Sequence, residues 1–349
     1  MLVAAPPCRR GHTRETSGET SAEVQGCVEA MEVNDGITIL PRKTVEAVTA
    51  IWRSRCSDGV RGPGHTTFKN TGVGFIIIES GLVVNPTTRW HRPLPLSGLQ
   101  QRIIDLGESY SKLGHKVFKL GFGKDIITGT YKAVWLYSSS ELGLENATTC
   151  EVFNFSTGSW RYVTPASPYR VVGSTDPVFV DGSLHWFTEC EETKVVSFDL
   201  HTEAFQVISK APFANSNPSE IVMCNLDNRL CVSLSHIAMD YQVIWSFNSS
   251  NKTWDNICSI DLYICAMFFA VSTRSVLHPL ALLNGENKNK NKNKTKKLLF
   301  SDHVHRRALL TFDPKTKSED PILEGISEAF WEKSIRFPVC YFPSLFSIQ

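Results

Sequence analysis

The sequence predicts an all-β chain built from several small antiparallel sheets, and two features of its 349 residues indicate this fold. The first is the stretch 177–209, in which four short apolar runs alternate with polar turns. Asp181-Gly182 joins the first two runs, and Asp-Gly between β-forming residues signals a tight hairpin because its central residues need positive φ. Four antiparallel strands joined in this way make a sheet of propeller-blade size. The second feature is that parts of this unit recur.

The recurring part places an Asn or Asp after an apolar residue and before a short polar turn, usually with an aromatic residue six positions later. The anchors are Asn85, Asn154, Asp199, Asn248 and Asp313, and the residues at the aromatic position are Trp90 (one residue early), Trp160, Phe205, Trp254 and Glu319. The closest spacing is near the roughly 50 residues of a kelch-like blade. Because one twisted sheet cannot bury both of its faces, neighbouring sheets must stack. We therefore predict a kelch-like, β-propeller-like array; hairpins of an ordinary β-sandwich are the alternative.

Composition narrows the class of protein. The chain has 42% hydrophobic and 20% charged residues and a net charge of +1, so it offers no electrostatic case for binding nucleic acid or an anionic membrane. No apolar run reaches the roughly 20 residues that span a bilayer. The ten cysteines form no CxxC pair and no zinc-like cluster. With no secretory signal recognised, we expect reduced, mostly buried thiols in a protein of the cytoplasm, the nucleus or both.

No catalytic motif was recognised. The sequence has no Gly-x-Ser-x-Gly elbow, His-Glu-x-x-His pair, Walker loop or Cys/His metal box. His185 lies inside a predicted strand and is interpreted as structural, whereas His303 and His305 lack a third metal ligand nearby. Gly121 and Gly123 are interpreted as tight turns. We expect no enzyme activity, cofactor, metal or catalytic residue; a propeller-fold enzyme with its residues on separate blades, such as a copper oxidase or a glycosidase, is the less favoured alternative.

The ends and one internal segment differ from the β-rich body. Residues 1–37 are polar and aperiodic, which predicts a disordered leader. Residues 38–60 predict a short amphipathic helix, and residues 61–349 form the predicted β-domain. Within it, the Asn- and Lys-rich residues 284–297 predict a solvated low-complexity loop.

The predicted helix resembles part of a known motif. Leu40-Pro41-x-Lys43, followed by Trp52-Arg-Ser54 and Ser57-Asp58, is similar to the second half of the plant F-box motif. The resemblance implies a helical surface that docks on the SKP-type adaptor of cullin-based ubiquitin ligases. The span is about one helical turn shorter than usual and no clear first helix precedes it, so this F-box is truncated or degenerate. The resemblance implies the following adaptor-binding residues: Leu40, Pro41, Val45, Val48 and Trp52.

Residues 75–349 resemble the F-box-associated interaction domain of plant F-box proteins. The phrases that carry the resemblance are Asn85-Pro-Thr-Thr-Arg-Trp-His-Arg-Pro-Leu-Pro95, Leu120-Gly-Phe-Gly-Lys-Asp125, Glu151-Val-Phe-Asn-Phe-Ser-Thr-Gly-Ser-Trp-Arg161, Asp181-Gly-Ser-Leu-His-Trp-Phe187, Ser197-Phe-Asp-Leu-His-Thr-Glu203 and Pro338-Val-Cys-Tyr-Phe342. It implies the substrate-recognition subunit of an SCF-type cullin ubiquitin ligase, with a target protein, a SKP-type adaptor and a cullin as partners. The alternative is a pseudo-F-box interaction protein that no longer binds the adaptor. The target should bind on loops at one end of the array.

Overall fold

The computed structural model describes residues 31–33, 37–41, 68–70, 76–78, 82–85, 90–105, 118–144, 147–172, 175–213, 220–263, 276–284, 296–302, 309–313, 318–321 and 335–340. In these residues 23 strands form six antiparallel sheets. The first sheet contains β3 (Phe68–Asn70), β4 (Ile76–Ile78), β5 (Leu82–Asn85) and β6 (Trp90–Pro93). The second contains β7 (Phe118–Lys124), β8 (Tyr131–Ser138), β9 (Thr148–Asn154) and β10 (Ser159–Val163).

The next sheets repeat this plan. The third sheet contains β11 (Val178–Val180), β12 (Ser183–Phe187), β13 (Lys194–Asp199) and β14 (Phe205–Lys210). The fourth contains β15 (Ile221–Leu226), β16 (Arg229–His236), β17 (Tyr241–Asn248) and β18 (Thr253–Asp261). The fifth contains β19 (Leu277–Asn284), β20 (Lys296–Asp302), β21 (Leu309–Asp313) and β22 (Ser318–Pro321). Each of these sheets is therefore a meander of four consecutive strands.

The sixth sheet joins the two ends of the described chain. Its order is β1 (Met31–Val33), β2 (Ile37–Pro41) and β23 (Ile335–Cys340). One strand of each sheet contacts a strand of the next: β7 contacts β11, β11 contacts β15, β15 contacts β19, β19 contacts β23, and β23 contacts β3. These are the first strands of the first five sheets together with β23, and they form the inner side of the array, whereas the fourth strands β10 and β14 are largely exposed. This arrangement confirms the predicted β-propeller-like array.

The structure differs from the sequence prediction at the N-terminal end. Met31–Val33 and Ile37 lie in strands, although residues 1–37 were predicted to be a disordered leader. Leu40 and Pro41 lie in β2, not in a helix; Pro41 pairs with Ile335 of β23. Ladder pairing with the last strand of the chain overrides the local helical pattern here. The rest of the predicted helix, including Val45, Val48 and Trp52, lies outside the described residues, as does most of the predicted loop 284–297; the ends of that range belong to β19 and β20.

The recurring aromatic residues pack as cross-strand pairs. Phe153 lies opposite Trp160, Phe198 opposite Phe205, and Phe247 opposite Trp254. Their ring centroids are 5.3, 4.6 and 5.1 Å apart, respectively. Directly opposed aromatic residues are a main source of sheet stabilisation.

The tryptophans of this repeat also tie their sheet to the segment before it. The Nε1 of Trp160 donates a hydrogen bond to Pro95 O at 2.8 Å, and that of Trp254 to Lys210 O at 2.8 Å. The one described α-helix, α1 (Gly98–Asp105), follows Pro95. Its N-terminus is capped by Ser97, whose Oγ accepts from Gln100 N, and by the buried carboxylate of Glu151, which accepts from Gly98 N and Leu99 N.

The antiparallel meanders give the array two distinct ends. In each four-stranded meander the first and third strands end at one end of the array, which we call the turn end. The second and fourth strands end at the opposite end, which we call the connection end.

Candidate functional site

The loop between β7 and β8, residues 125–130, lies at the turn end. It is the longest of the three loops between first and second strands that the structure describes in full. The corresponding turns of the third and fourth sheets have two residues each, Asp181-Gly182 and Asp227-Asn228, with positive φ at all four. Such two-residue turns follow the natural twist of a hairpin. The second sheet instead carries six residues at this point.

This loop is held in one conformation by a buried carboxylate. Asp125 Oδ1 accepts hydrogen bonds from Ile127 N at 2.9 Å and Thr128 N at 3.1 Å, and Asp125 O accepts from Gly129 N at 2.8 Å. Gly129 has a φ of +74°, which closes the turn. The loop exposes Ile126 and Ile127, whose relative accessibilities are 58% and 70%. A fixed loop thus presents two large apolar side chains to solvent.

The same carboxylate joins the second sheet to the third. His201, in the turn between β13 and β14, places its Nδ1 3.1 Å from Asp125 Oδ2. The Asp125 side chain is only 2% exposed and that of His201 45%. Burial alone would raise the pKa of Asp125, but hydrogen bonds from Thr128, His201 and Ile127 outweigh it and lower the pKa to about 2. The carboxylate is therefore ionised at neutral pH, and it contacts both the His201 imidazole and the backbone N–H of Ile127.

A group of three charged side chains, Lys132, Glu203 and Arg161, lies next to the Asp125–His201 contact. Lys132 Nζ donates to Glu203 Oε1 at 2.8 Å and to Leu200 O, and lies 4.0 Å from Asp125 Oδ2. Arg161 of β10 also donates to Glu203. The side chains of Lys132 and Glu203 are 8% and 12% exposed, whereas Arg161 is 51% exposed. Asp125 is buried and Glu203 is partly buried, whereas Arg161 and His201 are the basic side chains that reach solvent.

The turn that holds Glu203 has a strained backbone. Glu203 has a φ of +56°, whereas glycine, Gly158, occupies the equivalent position of the second sheet's turn. A left-handed conformation costs a non-glycine residue roughly 1–2 kcal/mol. Lys252 has the same conformation in the fourth sheet, with a φ of +55°, so the turn shape belongs to the repeat. What is particular to Glu203 is its carboxylate, which pairs with cations of the neighbouring sheet.

Glycines bring the second and third sheets close together beneath this surface. Gly121 and Gly123 lie in β7, so their interpretation as tight turns is wrong. A Cβ on Gly123 would lie 2.3 Å from Phe179 Cδ2 and 2.6 Å from Leu200 Cδ1. A Cβ on Gly182 would lie 3.1 Å from Ile126 Cγ1. The bare backbone is therefore needed for close approach between the sheets.

The connection end carries a separate exposed apolar pair. Met239 and Tyr263 are 69% and 54% exposed, and Leu262 N donates to Asp240 O at 2.8 Å between the segments that hold them. This pair has exposures similar to those of Ile126 and Ile127 but lies at the opposite end of the array.

Other sequence-predicted residues have the following places. His185 is buried and its Nδ1 lies 3.2 Å from Val178 O, and burial lowers its pKa to about 4; this agrees with a structural role. Within the described ranges, no group of three or more His, Cys, Asp and Glu residues is arranged to hold a metal ion. The helices in that part of the chain include none with the length and apolar character needed to cross a membrane.

Sequence reasoning did not find the Asp125–His201 and Lys132–Glu203 pairs. Their members are 76 and 71 residues apart, and nothing in the local sequence links them. A signal did exist for the loop itself, because Asp125 followed by Thr128-Gly129 is typical of a turn closed by a side-chain oxygen.

Comparisons with known proteins agree with this architecture. Residues 77–348 match the family model described as the F-box associated beta propeller domain. An F-box/LRR-repeat/kelch-repeat protein of Arabidopsis thaliana is 60% identical over 275 residues, which cover 79% of this chain and 68% of that protein. An F-box protein of the same plant is 46% identical over 297 residues, covering 77% of this chain and 70% of that protein. Another is 50% identical over 278 residues, covering 76% and 57%.

Proposed function

We infer the function of this chain from its family. The chain belongs to the F-box proteins that carry an F-box associated β-propeller domain. We propose that it is the substrate-recognition subunit of an SCF-type cullin ubiquitin ligase. In this role the β-domain holds a target protein, while the segment that contains Val45, Val48 and Trp52 binds a SKP-type adaptor.

The proposed mechanism is tethering. A target held on the β-domain has a raised effective concentration near the ubiquitin-carrying subunit of the ligase, so the chain needs no catalytic residue of its own. The role therefore demands a rigid scaffold with an accessible surface. It places the protein in the cytoplasm, the nucleus or both, where cullin ligases act.

The proposal that the β-domain binds a target is supported by the surface at the turn end of the second and third sheets. There the loop 125–130 is fixed by hydrogen bonds and still exposes Ile126 and Ile127. Surface that is ordered before binding loses little conformational entropy when a partner docks. A binding domain is favoured by this arrangement over a purely structural one.

The adaptor half is tested by co-purification of the full chain with a SKP-type adaptor. The structure argues against simply removing residues 1–60, because that deletion also removes β1 and β2 of the sixth sheet. Trp52→Ala and Val48→Asp leave those strands intact and are the sharper variants. We expect the full chain to bind the adaptor and both variants to bind at least about tenfold more weakly, since buried aromatic and apolar anchors dominate such interfaces. Full-strength binding by both variants contradicts the assignment of these contacts.

One observation favours the pseudo-F-box alternative. Leu40 and Pro41, two of the five residues implied as adaptor contacts, lie in β2 of the sixth sheet, and Pro41 pairs with Ile335 of β23. A segment that gives up part of its motif to the propeller has fewer residues left for the adaptor. Absence of adaptor binding by the full chain, with Trp52→Ala making no difference, supports this alternative and refutes the ligase role.

A further inference from the structure

We propose that the loop 125–130 together with His201 and Arg161 forms the target-binding surface, and that its ligand is a protein segment with a large apolar side chain next to an acidic one. We call this surface the isoleucine patch. The inference deepens the proposed function and rests on it, because it names where the β-domain binds and what chemistry it recognises.

The two exposed isoleucines of the patch are not needed to form the hairpin between β7 and β8. Two-residue turns suffice at the same position of the third and fourth sheets, and neither exposes a large apolar side chain. The second sheet adds four residues and points two isoleucines outward. Burial of exposed apolar side chains on binding stabilises a complex, and the entropy cost is small when these side chains are already ordered.

The basic side chains that contact Asp125 and Glu203 favour an acidic residue in the partner. Asp125 Oδ1 bonds to Ile127 N and Oδ2 to His201 Nδ1, so the imidazole and Ile127 share one anchoring carboxylate. Glu203, in the same turn as His201, orients Arg161. The side chains of Asp125 and Glu203 are 2% and 12% exposed, while those of Arg161 and His201 are 51% and 45% exposed. The guanidinium has donors in excess of those that Glu203 uses, and these match a carboxylate of a partner.

The ends of the strands that flank the proposed adaptor contacts lie away from the isoleucine patch. The alternation of antiparallel strands places the end of β2, at Pro41, and the start of β3, at Phe68, at the connection end. The isoleucine patch lies at the turn end.

The test uses the purified full-length chain and a phage-displayed library of random peptides. Peptides that are enriched are synthesised with a fluorophore, and their affinities are measured by fluorescence polarisation for the wild type, Ile127→Asp, Arg161→Gln and Met239→Asp. Met239→Asp is the matched control, because Met239 is 69% exposed and Ile127 is 70% exposed, but Met239 lies at the connection end. Thermal unfolding of each variant checks that the fold is retained.

We expect the enriched peptides to share a large apolar residue beside Asp or Glu. Their affinity should fall at least about tenfold in Ile127→Asp, which removes an anchor and repels the acid. The affinity should fall roughly threefold or more in Arg161→Gln, because this variant loses a charge-assisted contact with the peptide. It should stay within about twofold of the wild type in Met239→Asp, because Met239 is remote from the patch. Added salt should weaken binding to the wild type.

Several results overturn the inference. They are the enrichment of no peptide, enriched peptides without an acidic residue, unchanged affinity in Ile127→Asp, and loss of affinity in Met239→Asp. Adaptor co-purification, measured on the same variants, separates this inference from the ligase role. A chain that binds the peptides but not the adaptor retains the isoleucine patch and refutes only the ligase function.

Discussion

Gly123→Ala should destabilise the propeller by separating its second and third sheets. Gly123 lies at the centre of a contact in which β7 meets Phe179 of β11 and Leu200, which follows β13. The added Cβ would lie 2.3 Å from Phe179 Cδ2 and 2.6 Å from Leu200 Cδ1. Carbon atoms pack best at roughly 3.5–4.0 Å, so both side chains must retreat by about 1 Å or more.

The size of the effect follows from two opposing terms. Inserting a methyl group into a packed interface costs about 1–3 kcal/mol. Replacing glycine inside a strand returns roughly 0.5–1 kcal/mol, because alanine loses less backbone entropy on folding. With mid-range values of about 2 and about 0.75 kcal/mol, the expected loss in the free energy of unfolding is about 1 kcal/mol. Gly121→Ala should cost less, since its added Cβ would meet Leu184 Cδ1, the movable end of a side chain, at 2.8 Å.

A double-mutant cycle with urea unfolding tests the steric cause. Phe179→Ala removes the nearer obstacle, so the combined variant should be more stable than the sum of the two single losses predicts, by about 1 kcal/mol. Gly143→Ala is the control: its added Cβ meets nothing within 4 Å, and its φ of +69° makes any cost a backbone cost. That cost should not depend on Phe179. Additive losses for Gly123→Ala and Phe179→Ala, or a Gly123→Ala protein as stable as the wild type, refute the close-approach argument.

Two other predictions concern the ionisable groups. Lys132→Met should lower the free energy of unfolding, measured by urea titration, by about 3 kcal/mol, because it leaves the nearly buried Glu203 with Arg161 as its remaining partner. Lys210→Met is the control: it removes an ion pair whose side chains are 69% and 65% exposed, so it should not measurably change the free energy of unfolding. Equal losses in the two variants would contradict this reasoning. Because burial lowers the pKa of His185 from 6.5 to about 4, the unfolded chain takes up a proton first as the pH falls, so stability present above pH 6.5 should be lost between pH 6.5 and pH 4. The 2.5-unit difference corresponds to about 3 kcal/mol at roughly 1.4 kcal/mol per unit; His185→Gln should flatten that part of the stability profile, and a variant with the wild-type slope would show that another group causes it.

The units of the fold were predictable because their signals are local. Asp181-Gly182 makes the expected positive-φ turn, with values of 45° and 79°, and the strands of 177–209 lie in one sheet. Asn154, Asp199 and Asn248 each accept a hydrogen bond from a backbone N–H two residues later, as turn-forming side chains do. Phe153 and Trp160 then lie opposite each other because the hairpin register follows from the turn.

The N-terminal region shows where local signals fail. Apolar residues at helical spacing predicted a helix that includes Leu40 and Pro41, yet these residues extend along β23. The strand that pairs with β2, Ile335–Cys340, lies about 300 residues later in the chain. A periodicity within one segment carries no information about a strand that arrives from the other end of the chain.

The repeated four-stranded unit, its turns and the family of the chain were all predictable from the amino-acid sequence, since each depends on residues within a few positions or on ordered motifs. Three features become visible only in the folded chain: β1 and β2 join β23, glycines in β7 admit the neighbouring sheet, and Asp125 and Lys132 contact His201 and Glu203. The physical reason is that turn chemistry and strand periodicity act along the chain. Which sheet faces which, and which charges share a buried space, depends on how complete sheets stack.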